Sequence, residues 1–84
     1  MTMTINSYLR EQFPYFYVDG TRAWNTDEDL FIDVKKLNDH TVIEVCAHWP
    51  ESCLTTTTEA TMESDIVEFL EGELDEMIAM LKGL

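Results

Sequence analysis

Two periods of hydrophobic spacing run along this chain of 84 residues. From Thr4 to Phe13, Ile5, Tyr8, Leu9 and Phe13 recur at intervals of three and four, which lines them up on one face of a short helix. Pro14 ends it, because the proline ring crowds a helical conformation in the residue before it. The period then falls to two. Tyr15-Phe16-Tyr17-Val18 and Thr21-Arg22-Ala23-Trp24 flank Asp19-Gly20, and an Asp-Gly pair between β-prone runs predicts a tight hairpin. A two-residue loop there sets Val18 opposite Thr21, Tyr17 opposite Arg22, Phe16 opposite Ala23 and Tyr15 opposite Trp24. One face then carries Tyr15, Tyr17, Arg22 and Trp24, with the guanidinium in reach of a ring.

Asn25 to Asp29 reads as an acidic loop. Beyond it Leu30, Ile32 and Val34 alternate with Phe31, Asp33 and Lys35, a third strand, and a turn at Asn38-Asp39 leads to a fourth from Thr41 to Trp49. A two-residue turn places Val34 opposite Ile43, Ile32 opposite Val45 and Leu30 opposite Ala47, so every apolar partner falls on one face. The same register sets Asp33 against Glu44 on the other face, an arrangement that requires water or a cation beside them. Trp49-Pro50-Glu51-Ser52 breaks the strand. The threonine run Thr55 to Thr58 is expected to lead into a C-terminal helix over Thr58 to Lys82, with Thr56 and Glu59 as a capping box and Gly83 as its stop. On that helix Met62, Ile66, Leu70, Leu74, Met77 and Leu81 form a stripe, with Phe69 and Ile78 at its margins. Gly72 inside it costs about 1 kcal/mol relative to alanine, which points to a close contact or a bend. The expected fold is α+β in one domain spanning 1–84: a short N-terminal helix, a four-stranded antiparallel meander, and a long acidic helix packed on one sheet face.

Charge changes the picture from fold to partner. Seventeen acids against five bases give a formal charge of -12 and a pI near 4.1, while 45% hydrophobic residues suffice for a core. Only Lys35 and Lys36 are adjacent bases, which argues against direct binding of nucleic acid or anionic lipid. No run approaches the roughly 18 to 20 apolar residues of a membrane span, and Met1 to Asn6 lacks a basic segment followed by an apolar one, so a cytoplasmic protein is expected. Residues 58 to 84 hold Glu59, Glu63, Asp65, Glu68, Glu71, Glu73, Asp75 and Glu76 against Lys82 alone. At 100° per residue Asp65, Glu68, Glu71, Asp75 and Glu76 lie opposite the apolar stripe. A helix built only for stability would intersperse lysine at intervals of four, whereas Glu71 and Asp75 repel. Such a face either serves as a solvated surface or meets a basic one.

Catalytic chemistry is thinly represented. His40 lies in a turn and His48 at a strand end, no serine or cysteine is spaced to either, and Gly20, Gly72 and Gly83 are isolated, so neither a nucleophile with its base nor a phosphate loop is present. Cys46, His48 and Cys53 come within reach of one another, but a structural zinc wants four ligands in paired spacing, so no metal or other cofactor is expected. A Cys46–Cys53 disulfide would suit an oxidising compartment, but with nothing to signal export the two are expected as thiols. Tyr15, Tyr17 and Trp24 suit a dimer or peptide-binding patch better than base stacking, which needs more surrounding cations than Arg22.

The combination of about 80 residues, a small sheet flanked by helices and a heavily acidic face resembles, in kind, phage-encoded inhibitors such as anti-CRISPR proteins and other DNA mimics. It is similar also to bacterial immunity proteins and the small acidic chaperones of type III secretion. That resemblance implies a non-enzymatic inhibitor occupying the nucleic-acid groove of a basic partner protein. Glu68, Glu71, Asp75, Glu76 and Asp65 would lead, with Asp27, Glu28 and Asp29 as a second anionic group. The alternative is an adaptor or chaperone-like homodimer that binds a protein segment on its sheet or along the sheet's open edge.

Overall fold

A computed structural model describes residues 3–48 and 51–83. Helix α1 (Ile5–Gln12) is followed by strands β1 (Tyr17–Asp19), β2 (Arg22–Asn25), β3 (Leu30–Lys36), β4 (Thr41–Ala47) and β5 (Ser52–Thr58), then helix α2 (Glu63–Lys82). The strands form one antiparallel sheet in chain order. Thr4 caps α1, its Oγ1 accepting the Ser7 N–H at 3.1 Å, and Ile5, Tyr8 and Leu9 form the buried face that their spacing predicts.

The β3–β4 register is the expected one: Leu30, Ile32 and Val34 face Ala47, Val45 and Ile43. The Leu37 N–H donates to the His40 carbonyl at 2.8 Å and closes the turn around Asn38-Asp39. These side chains, with Ala23, make the sheet's half of the core, and Ile66, Val67, Leu70, Leu74, Met77 and Leu81 of α2 close over it. Helix α2 covers β4 and β5, while α1 covers β1 and β2 and packs against α2. Two polar bonds fix the layers. The Ile5 N–H donates to the Glu63 carboxylate at 3.1 Å, joining the starts of the two helices, and the buried Thr41 hydroxyl donates to the Ala60 carbonyl at 2.7 Å.

Three expectations are corrected. The sheet has five strands, not four: the threonine run belongs to β5, since β-branched side chains alternating between half-buried and exposed fit a pleated surface. Thr56 therefore pairs with Ile43 inside the sheet, so the capping box with Glu59 does not form. Helix α2 begins instead at Glu63, its N-cap Met62 makes no side-chain cap bond, and Met62 is exposed rather than part of the stripe. The first hairpin also slips by two residues. Gly20, at φ +61°, and Thr21 form the turn, the pattern of a type II′ loop with glycine first, so Asp19 faces Arg22 and Tyr17 faces Trp24. An even slip preserves which face each side chain occupies, but it leaves Tyr15 outside β1 and 89% exposed. The expected extension of β4 to Trp49, and the break at Trp49-Pro50, lie outside the described residues.

Candidate functional site

Side chains of α2 that point away from the core build an anionic face. Asp65, Glu68, Glu71, Asp75 and Glu76 are all exposed, as their helical angles predict, and the buried stripe beneath fixes their spacing. Among the described residues no ion pair reaches any of the five. Between Asp65 and Glu76 the axis rises about 16 Å, so the five carboxylates are spaced about 4 Å apart along it on average. A single DNA strand carries about one charge per 3.4 Å.

The acidic loop between β2 and β3 is brought to the end of this face. Asn25 Oδ1 accepts the N–H groups of Asp27 at 2.8 Å and Glu28 at 3.1 Å, an Asx turn that orders the loop. Glu28 reaches Lys82 at the C-terminal end of α2 at 3.6 Å, and Asp29 meets the His48 ring at 3.1 Å. Two of the three loop acids thus have a local partner, and Asp27 remains exposed without an ion pair among the described residues.

Neither helix covers the opposite sheet face. Successive registers place Tyr17, Trp24, Phe31, Cys46 and Cys53 in one row across all five strands. Tyr17 stacks on Trp24 with ring centroids 5.9 Å apart, and Trp24 and Phe31 border a cleft of about 420 Å³ that Arg22 and Asp29 also line. Arg22 does not lie against a ring; it turns to Asp33. The buried Asp33 carboxylate sits 3.6 Å from Arg22 and 3.8 Å from Lys35, the cations that its position opposite Glu44 requires. Tyr15 lies apart from the row, in a smaller cleft with Pro14 and Asp27. The chain matches no family model, no curated protein and no solved structure.

Cys46 and Cys53 face each other across β4 and β5 and are bonded as a disulfide, which corrects the expectation of free thiols. The unforeseen fifth strand explains the difference, because antiparallel pairing brings the two α-carbons to 4.0 Å. Their sulfurs lie within 4.8 Å of a Glu44 oxygen, so the cluster contains Glu44 rather than His48, and the disulfide takes up both thiolates that a metal would need. Each histidine pairs with an aspartate: His40 with Asp39 at 2.6 Å and His48 with Asp29. The hydrogen bond from His40, with its charge, holds the Asp39 carboxyl below the ordinary range.

Residues that sequence reasoning passes over are Glu63, which is spent on the Ile5 N–H, and Lys82, which carries the acidic loop. Their local signal was ordinary, a helix-start acid and a helix-end base, and only the tertiary fold brings their partners near.

Proposed function

We propose that this protein is a non-enzymatic inhibitor that presents the anionic face of α2 to the basic, nucleic-acid-binding surface of a partner protein. The observation that carries this is the charge spacing: carboxylates without an ion pair among the described residues, about 4 Å apart along one helix, near the roughly 3.4 Å charge spacing of one nucleic-acid strand. Carboxylates so spaced accept bidentate bonds from arginine as phosphates do. Asp27, on the loop that the Glu28–Lys82 pair ties to α2, adds an exposed carboxylate without an ion pair among the described residues. Such a partner works in the cytoplasm, where the Cys46–Cys53 pair would be kept reduced; the interface leaves that pair out, since it lies on the far side of the sheet.

The test is the combined change Glu68→Gln, Glu71→Gln, Asp75→Asn and Glu76→Gln. The four positions are exposed, so the fold persists and loses like-charge repulsion, while capture of a nucleic-acid-binding protein from native lysate, or inhibition of it, is abolished. Single changes do far less, at roughly 0.2–1 kcal/mol each.

A second reading has its own observation, the stacked Tyr17 and Trp24 on the sheet face that neither helix covers, with Tyr17 69% exposed. As an adaptor, the protein would hold a peptide or a second copy of itself against Tyr17, Trp24 and the cleft beside Phe31. Tyr17→Ser with Trp24→Ser removes binding in that case, and the four-carboxylate variant does not.

A further inference from the structure

The sheet ends in two unlike edges. Strand β1 has three residues and ends in Asp19, so shortness blunts it. Strand β5 has seven residues, Ser52–Thr58, without proline, lysine or other charge, and among the described residues no further strand pairs with it. The direction of its open backbone groups follows from the neighbouring ladder. Leu37 bonds to His40 at one end of β3–β4, and the His48 N–H donates to the Asp29 carbonyl at 2.9 Å at the other. Bonded pairs alternate between these limits, so Val42, Glu44 and Cys46 turn their backbone groups toward β3. Their partners on β5 therefore turn away from β4, and Thr55 and Thr57 present N–H and C=O groups outward at the edge.

Beside this edge, on the helix side, lies a groove of about 420 Å³ between Thr58 and α2, lined by Asp65, Glu68, Phe69, Gly72 and Glu73. Gly72 belongs to the groove and not to the core: a Cβ built on it meets nothing within 4 Å, so neither a close contact nor a left-handed φ requires glycine there. A residue that lowers helix stability without serving the packing leaves open the space beside the edge.

We propose that β5 accepts an added strand, and that the occupant is an extended segment of another protein carrying arginine or lysine at alternate positions. Backbone pairing with Thr55 and Thr57 gives affinity. Alternate side chains of an added strand enter the groove, where a long basic side chain lays its stem on Phe69 and its head among Asp65, Glu68 and Glu73. Charge excludes a second copy as the occupant, because edge-to-edge pairing would bring two chains of charge -12 together at their acidic grooves. The site shares Asp65 and Glu68 with the anionic face but not Glu71, Asp75 or Glu76, and it also needs the open β5 edge, so loss of strand pairing at Thr55 and Thr57 leaves the proposed function standing.

The probe is a synthetic heptapeptide, Thr-Arg-Val-Arg-Val-Arg-Thr, capped at both ends, followed by amide hydrogen exchange of the full chain. Saturating peptide slows exchange at Thr55 and Thr57 at least tenfold, and a peptide with glutamate for arginine does not. Thr57→Pro deletes one outward N–H at a position where an edge strand tolerates proline. Gly72→Arg fills the groove from an exposed helix site. Each weakens binding at least tenfold, and the second keeps the inference testable should the first disturb the strand. Unchanged exchange at Thr55 and Thr57, binding that survives both variants, or a dimer paired through β5 overturns it.

Discussion

Tyr8 shows how one side chain registers both the core and the charged face. Its phenol is buried under α1; burial first, then the negative charges of Asp75 and Glu71, push its ionisation above the ordinary value of 10.0. The folded chain thus keeps this proton to higher pH than the unfolded chain does. The stability Tyr8 contributes is complete below pH about 10 and is lost as pH rises through the raised value. Tyr8→Phe is expected to flatten that alkaline loss and leave the pH dependence near neutrality unchanged, as read by urea unfolding from pH about 7 to 11. A loss as steep in the variant as in the parent assigns the alkaline sensitivity to other groups. The sequence marked Tyr8 as a core position from its spacing, but the carboxylates beside it come from a helix more than sixty residues away and had no local signature.

Among the elements, β5 decides most about the sheet. It is tied to β4 by the Cys46–Cys53 disulfide, which closes a loop with a sequence separation of 7. Reduction, or Cys46→Ser with Cys53→Ser, is expected to lower unfolding stability by about 2–3 kcal/mol through the freed unfolded chain, with the fold kept because Leu54 still packs on the core. Equal urea midpoints for the oxidised and reduced forms contradict that role. Elements whose apolar residues follow one clear period were legible: α1, the β3–β4 pair to the residue, and the buried face of α2. Strand β5 was not, because threonines show no hydrophobic alternation and Leu54 alone of its residues is a large apolar one, so the run read as a cap. The first hairpin failed for another reason. Asp19-Gly20 and Gly20-Thr21 are both acceptable loops, and pairing Tyr17 with Trp24 and Asp19 with Arg22 settles the choice by contacts that turn chemistry does not encode.

Taken whole, the molecule separates its chemistry by face: carboxylates on the exterior of α2, aromatic rings on the sheet face away from the helices, and apolar side chains between the layers. The anionic face was readable in advance because helical period and net charge suffice to place it, whereas the edge groove needed both β5 and its angle to α2. Described residues include no helix long and apolar enough to cross a membrane. The central claim concerns charge, and charge acts first on the rate of encounter. The most direct measurement is the association rate with the captured basic partner by stopped flow, across salt from about 50 to 500 mM, for the parent and the four-carboxylate variant. The parent's rate should fall at least tenfold across that range, and the variant's should be slow and nearly flat. Equal rates for the two proteins, with the same indifference to salt, would make the acidic face of α2 a solvated surface and move the interface to the sheet.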